Sequence, residues 1–418
     1  MSDLTIDGGD PVAPDGVETE WPVFGDAERE ALLEVLESGN WCSADFYFEG
    51  EGEQSHVQRF ERAFADFVGT DHATAVPNGT QALELAFRAV GLEPGEEVVV
   101  PSVTFVASAS AVVQAGGVPV FVDVDPDTYQ LDPDAVEAAI TGRTAAIEAV
   151  HYGGYPADMD RLVEIADDHD LYLIEDAAEA HGTEWRGETV GSIGDVGCFS
   201  LQLGKPLTCG EGGVVTHDGD DAELADRLYA HANLGRSPEG GKYEHHVPAG
   251  NYRLSEFLGA LLCTQLSRLD EQTDRRETNG AWLADRVAAV EGLSTLQSDD
   301  RITRRGYYFY FVRYDADAWG GLDRDDFVAA LRAEGVDCST AHNDPLYQHA
   351  AFADIDPSLL RGREMDYAAV SCPEAERIYD SEVVALSKDV LLERESVEAV
   401  AAAFEKLDSH REALADLV

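Results

Sequence analysis

The sequence predicts an α/β protein: a mainly parallel seven-stranded sheet covered by helices, plus a smaller C-terminal α+β domain. Three observations predict it. Short apolar runs of strand length recur through the first half of the chain. Segments of helical periodicity lie between many of them, as the crossovers of a parallel sheet require. After Gly250 the pattern changes to one long helix, then a strand and further helices.

The runs are "HATAVP" (72–77), "EEVVVP" (96–101), "VPVFVDV" (118–124), "TAAIEAVHY" (144–152), "LYLIEDA" (171–177), "GCFSLQ" (197–202) and "GGVVTH" (212–217). Most are near-continuous in β-branched and apolar residues, which suits strands covered on both faces. "TQALELAFRAVG" follows the first, "FVASASAVVQAG" the second, and "DMDRLVEIADDHD" precedes "LYLIEDA". Between 196 and 217 two strands follow with no room for a helix, so a local antiparallel pair is expected there. "RLSEFLGALLCTQLSRLDEQTDRRETNGAWLADRVAAV" reads as a long helix. "GYYFYFVRYDA" (306–316) reads as a strand, "RDDFVAALRAEG" (324–335) as an amphipathic helix ending at a glycine, and "SVEAVAAAFEKLDSH" (396–410) as another. The expected division is 1–279, an N-terminal arm and large domain, and 280–418, the small domain, joined by the long helix.

The chain has 418 residues, with 29 Lys+Arg against 82 Asp+Glu and a formal net charge of −53. Acidic residues are spread along its whole length. Such a surface repels phosphate backbones and anionic lipid, so neither nucleic acid nor a membrane is expected as a partner. The periodic apolar segments argue against disorder. The charge is read as adaptation to high salt, where screening removes self-repulsion. The apolar segments are too interrupted for a membrane span. "MSDLTIDGGDPVAPDG" lacks the basic start and apolar stretch of a signal peptide. A soluble cytoplasmic protein is expected. The cysteines form no CxxC and no zinc-spaced cluster, so no metal is expected. "DVDPDTYQLDPD" (123–134) has Thr128 and Asp134 where a calcium loop needs Gly and Glu, and reads as a polar turn.

Several positions carry candidate chemistry. In "VPNGTQALELAF" (76–87), Gly79 and Thr80 open a helix, where backbone N–H groups and the dipole favour an anion. Thr80 also suits an ordinary N-cap. "VPSVTFVAS" (100–108) puts Phe105 beyond the C-terminal edge of a strand, as a core residue or as a platform for a flat ring. "LYLIEDAAEAHG" (171–182) delivers Glu175 and Asp176 at a strand end, either to cap the next turn or to meet a ligand. Lysine occurs only as Lys205, Lys242, Lys388 and Lys406. Lys205 sits among apolar residues and glycines in "FSLQLGKPLTCGEGGVV" (199–215), after a strand containing Ser200. In dry surroundings near cationic charge its pKa is expected to fall, making it a nucleophile toward aldehydes; a surface turn is the alternative. Ring platform, carboxylate and lysine in this order on one parallel sheet match a pyridoxal phosphate site.

At this point the sequence resembles a known family, the sugar aminotransferases of the DegT/DnrJ/EryC1/StrS type, with the fold of the aspartate aminotransferase superfamily (pyridoxal phosphate fold type I). The resemblance runs from "WPVFGDAEREALLEVLESGNW" through "PNGTQALELAF", "GGYPADMDRL", "EDAAEAHGTEWRGETVGSIGDVGCFS", "GKPLTCGEGG" and "GNYRLSEFLGALLCTQLSRLDEQ". The tail "YYFYFVRYDADAWGGLDRDDFVAALRAEGVD" looks most like the glutamine:scyllo-inosose aminotransferase and aminohydroxybenzoate synthase branch. The resemblance implies that Lys205 bonds the cofactor aldehyde and shuttles the proton. It implies that Asp176 pairs with the ring nitrogen, Phe105 stacks on the ring, and Gly79, Thr80 and Ser200 bind the phosphate. It also implies that Glu179, one helical turn beyond Asp176, faces the ring hydroxyl region. Asn251 resembles the residue that reaches the phosphate of a neighbouring subunit, a role Arg253 is expected to share, so a homodimer with shared sites is implied. The implied donor is glutamate or glutamine, and the implied acceptor a keto-sugar, nucleotide-linked or free, or a keto-cyclitol. A dehydratase, an aminohydroxybenzoate-type synthase and a non-catalytic regulatory homologue are the rivals; Lys205, where dehydratases carry His, favours amino transfer. The sequence departs from the usual pattern at Gly204 and at Tyr347, both expected near the substrate mouth.

Overall fold

The computed structural model describes residues 3–17, 20–43, 55–219, 221–237, 240, 243–342 and 344–415. Lys242 lies outside the described residues. Each predicted run forms a strand of one seven-stranded sheet: β1 (His72–Val76), β2 (Glu97–Pro101), β3 (Val118–Val122), β4 (Thr144–Val150), β5 (Tyr172–Asp176), β6 (Val196–Ser200) and β7 (Gly213–His217). The spatial order is β1-β7-β6-β5-β4-β2-β3. The β2–β3, β2–β4, β4–β5 and β5–β6 pairings are parallel. β7 runs antiparallel to both β6 and β1, which is the expected reversed pair. β2, β6 and β7 are buried at every position, so their sequences lack the alternation of a half-exposed strand.

The principal helices are α1 (Asp26–Ser38), α2 (His56–Val68), α3 (Gly79–Ala89), α4 (Ala107–Ala115), α5 (Met159–His169), α6 (Ala222–Ala232), α7 (Glu256–Val287), α8 (Arg324–Ala333) and α9 (Arg394–Ser409). Successive strand residues point to opposite faces. Val98, Val100, Ala146, Ile174 and Cys198 pack on α3 and α4 through Leu83, Phe87 and Val112. Val99, Ile147, Leu173 and Phe199 pack on the other face, with α2, α5 and the start of α7, through Phe64, Leu162 and Leu262.

α7 has 32 residues and spans about 48 Å at the ordinary helical rise. Its end joins a second core through Leu283 and Val287. There a four-stranded antiparallel sheet, ordered β8 (Leu293–Thr295), β9 (Phe309–Tyr314), β11 (Val383–Ser387), β10 (Cys338–Ser339), packs under α8 and α9.

The expected division at 279/280 falls inside α7. Packing crosses it in both directions. Leu4, Ala13 and Val17, expected with the large domain, belong to the second core. They find apolar cover there, and the buried Glu334 carboxylate accepts from Thr5 N, Val12 N and Lys406 Nζ. Conversely, Leu346, Phe352, Tyr367 and Tyr379 pack on the first core.

One junction positions the site. Gly153 and Gly154, after β4, have φ of 68° and 84°. A Cβ on Gly153 would stand 2.2 Å from the Phe311 ring, and one on Gly154 2.8 Å from Tyr307 N. Tyr308 N donates to Gly153 O at 2.9 Å. The glycine pair lets the second sheet approach the end of β4 and carries Tyr308 to the edge of the first.

Candidate active site

β4, β5 and β6 end at one edge of the large sheet, in Val150, Asp176 and Ser200. Open α/β sheets bind ligands at that edge. A cavity of about 710 Å³ lies there, and Gly79, Thr80, Phe105, Asp176, Glu179, Ser200 and Lys205 all line it. Residues spread over more than 120 positions of the chain are thus brought together at one cavity.

The anion end is built by α3. Its N-cap is Asn78, not Thr80: Asn78 Oδ1 accepts from Gln81 N at 2.8 Å. Gly79 and Thr80 are instead the first helical residues, whose N–H groups have no acceptor within the helix. A Cβ on Gly79 would lie 2.7 Å from Ser200 Cβ, so glycine is what lets the helix start abut the end of β6.

Asp176 is buried at the floor. Its Oδ2 accepts from Ser108 Oγ at 2.9 Å and its Oδ1 from Ala178 N at 3.1 Å. Burial pushes its carboxyl above the usual range; those two hydrogen bonds and the Lys205 charge oppose the push. Its neighbour Glu175 points to the opposite face and is a strut: its carboxylate accepts from Gly191 N, Ile193 N and Gly194 N and meets His151 Nε2 at 3.0 Å. Phe105, half exposed, stands at the mouth with its ring centroid 5.7 Å from that of His342.

Lys205 Nζ lies 3.1 Å from Glu179 Oε1 and 4.1 Å from the centre of the Tyr308 ring. Burial alone would lower its pKa, as expected from sequence. The Glu179 charge and hydrogen bond, with Tyr308 and Asp176, outweigh burial and raise it. The sequence expectation is corrected here: the neighbours are anionic, not cationic. Glu179 is reached through a tight turn, Ala180 N donating to Ala177 O at 3.0 Å, and not through a helical turn. Its other oxygen accepts from Gly153 N at 2.9 Å.

Tyr347 does not line the cavity. It is buried among Phe121 and its neighbours, and its hydroxyl donates to Glu376 Oε1 at 2.5 Å. Gly204 sits beside the cavity; a Cβ there would lie 3.2 Å from Gln202 Oε1 and 3.5 Å from Tyr308 OH. Asn251 and Arg253 stay outside the cavity of their own chain, held near Asn233, whose Oδ1 accepts from Arg253 Nη1 at 2.7 Å. Sequence reasoning missed Tyr308, His342, Gln202 and Thr104, which also line the cavity. His342 Nδ1 lies 3.1 Å from Tyr152 OH, and burial lowers its pKa.

These residues fit pyridoxal phosphate. The helix start that abuts Ser200 suits the phosphate, the buried Asp176 carboxylate suits a cationic ring nitrogen, and Lys205 is an amine within the same cavity. Among the described residues, no group of His, Cys, Asp and Glu is arranged to hold a metal ion, and no helix is long and apolar enough to cross a membrane.

A family model described as the DegT/DnrJ/EryC1/StrS aminotransferase family matches residues 25–405. The L-glutamine:scyllo-inosose aminotransferase of Streptomyces griseus is 39% identical, covering 98% of this chain and 99% of that protein. The 3-amino-5-hydroxybenzoate synthase of Amycolatopsis mediterranei is 38% identical, covering 89% of this chain and 92% of that one. A crystal structure of 3-amino-5-hydroxybenzoic acid synthase superposes with a TM-score of 0.82 at 36% identity, over 92% of this chain and 98% of that chain.

Proposed function

The chain belongs to the DegT/DnrJ/EryC1/StrS aminotransferase family, whose members use pyridoxal phosphate, and we propose that it moves an amino group from glutamine to the keto group of a cyclitol or sugar. The observation that carries this reading is the convergence of Lys205, Asp176, Phe105 and the α3 start on one cavity. The names of the relatives support the donor and the cyclitol acceptor. When bound, pyridoxal phosphate supplies an aldehyde carbon that takes up the amino group and a ring that delocalises the electron pair left on the donor carbon. The chain's residues do the rest. Gly79, Thr80 and Ser200 would hold the phosphate, Phe105 would pack against the ring, and Asp176 would keep a proton on the ring nitrogen. Lys205 Nζ moves the proton at the donor's α-carbon. Glu179 Oε1 is placed to take the surplus Lys205 proton first. Thr104, Gln202, Tyr308 and His342 offer hydrogen-bonding groups to a polyhydroxy ring.

The test is two half-reactions followed by absorbance. L-Glutamine should bleach the yellow holoenzyme, and scyllo-inosose or a related keto-cyclitol should restore it. Failure of every amino donor to bleach the protein would remove the aminotransferase reading; restoration by nucleotide-linked keto-sugars alone would move the acceptor.

The same proposal includes a cytoplasmic homodimer in which Asn251 and Arg253 serve the partner's cofactor. Lys205→Ala and a crippling Asn251 or Arg253 variant should then complement. After full exchange about half the dimers are hybrid, and about a quarter of all sites carry no lesion. Activity on that scale should return on remixing. Dead hybrids would mean that these two residues serve their own chain.

The charge of −53 supports a salt-dependent fold. At about 1 M salt the screening length shrinks to about 3 Å, which silences repulsion between surface carboxylates. Thermal midpoint and activity should climb with potassium chloride into the molar range, by several degrees in Tm. A maximum in dilute buffer would contradict the high-salt reading.

A further inference from the structure

Glu148, on β4, is fully buried, and neither of its carboxyl oxygens has a hydrogen-bond partner. It lies on the same sheet face as Val150. The β4–β5 register sets Val150 opposite Asp176 and Glu148 opposite Ile174. Glu148 is therefore one pleat below Asp176 on the adjacent strand, beneath the cavity floor. The groups acting on it are Asp176 from β5 and Ser108 from α4, and the Cys198 thiol of β6 adjoins the same cluster. No cation is among them.

Two carboxyls so close in a dry site do not both ionise. Asp176 accepts hydrogen bonds from Ser108 and Ala178 and feels the Lys205 charge, whereas Glu148 has only the nearby Ser108 hydroxyl, with no hydrogen bond formed to it and no cation. The proton therefore goes to Glu148; burial first, then the Asp176 charge, raise it well above the carboxylate range. A protonated carboxyl carries an O–H donor that needs an acceptor. The Ser108 hydroxyl donates to Asp176 at 2.9 Å and lies 2.9 Å from Thr104 Oγ1, with lone-pair capacity to accept one bond more.

We propose that Glu148 is a positioning residue: it remains a neutral acid, donates to Ser108 Oγ, and through Ser108 holds Asp176 as the carboxylate that faces the ring nitrogen of bound pyridoxal phosphate. The inference rests on the reading of Asp176 given above. Neighbouring hydrogen bonds polarise one another in a dry interior, so the chain strengthens the bond that ends on Asp176.

The test uses the holoenzyme and E148Q, E148L, S108A and D176N. The wild-type infrared spectrum should show a protonated-carboxyl stretch at neutral pH that is missing in E148Q. E148L and S108A should shift the pH titration of the cofactor absorbance in the same direction. Each should lower kcat about tenfold with little change in KM, the scale of one lost hydrogen bond to a charge. The double variant should lose no more than either single one. E148Q keeps an N–H donor for Ser108 and should recover most of the loss. Stability gives an independent readout. The folded protein binds this proton more tightly than the unfolded chain, whose glutamate titrates near about pH 4.3. Wild-type stability therefore declines as pH rises past that value, and the Tm advantage of E148Q should widen from about pH 5 to about pH 9. The inference is overturned if the infrared band is absent from wild type, if the Tm difference is flat with pH, or if E148L leaves spectrum and kcat unchanged while D176N abolishes turnover. Normal turnover in D176N would instead sink the reading of Asp176 itself.

Discussion

Lys205→Ala should lower turnover by roughly 10⁴-fold or more, the upper range for removing a proton-transfer group, which is about 5.4 kcal/mol of barrier. Borohydride treatment of the yellow wild-type protein should leave a pyridoxyl group on the Lys205 peptide and on no other. The prediction is sharp because acidity alone would pick another lysine. Burial lowers Lys388 to about 8, the direction expected of a nucleophilic amine, while Lys205 is raised. Geometry decides against Lys388. Its ammonium sits 4.3 Å from the centre of the Trp21 ring and 2.8 Å from Asp389 Oδ1, and it does not line the cavity. Lys205 lines the cavity with Asp176 and has Glu179 Oε1 at hand as a proton acceptor. A reduced adduct on Lys388, Lys406 or Lys242 would overturn the assignment.

The large sheet was legible because its strands are covered on both faces. Runs such as "EEVVVP" and "GCFSLQ" have no polar face to interrupt them, and each strand begins within a residue of its run. The short strands Glu184–Trp185, Glu188–Thr189 and Ile302–Arg304 have no such run and left no pattern to read. Residues singled out for local chemistry line the cavity: Gly79 at a helix start, Asp176 at a strand end and Lys205 among glycines. Tyr308 and His342 were not singled out, because long-range packing brings them to the cavity: Tyr308 through the docking of the second sheet on Gly153 and Gly154, and His342 through its contact with Tyr152, 190 positions earlier. The Lys205 shift was misjudged for a related reason. Burial was readable from the apolar context, but the sign followed from Glu179, 26 positions away. Tyr347 was misplaced because its segment folds back on Phe121 and Tyr367, taking the ring into the core.

Asp176→Asn should lower kcat about 100-fold or more, about 2.7 kcal/mol, while leaving the fold intact or firmer. Asparagine has nearly the same shape. Its carbonyl oxygen can still accept from Ala178 N, the bond now 3.1 Å long. Its amide must donate where Oδ2 now accepts, so the Ser108 hydroxyl turns to Thr104 Oγ1, already 2.9 Å away. What is lost is the charge that holds a proton on the ring nitrogen, and with it the ring's capacity to take up electrons. Thermal stability separates this from a packing defect. Burial raises the Asp176 pKa in the folded state, so this group's contribution falls as pH rises above the unfolded aspartate value of about 3.9. The variant lacks that burden, and its Tm relative to wild type should improve as pH rises above about 4 and level off once Asp176 is ionised in the folded protein. An inactive variant with an equal or higher Tm at neutral pH places Asp176 in the chemistry. Near-normal turnover would take it out of the catalytic site, and inactivity with a collapsed Tm would mark it as a structural carboxylate.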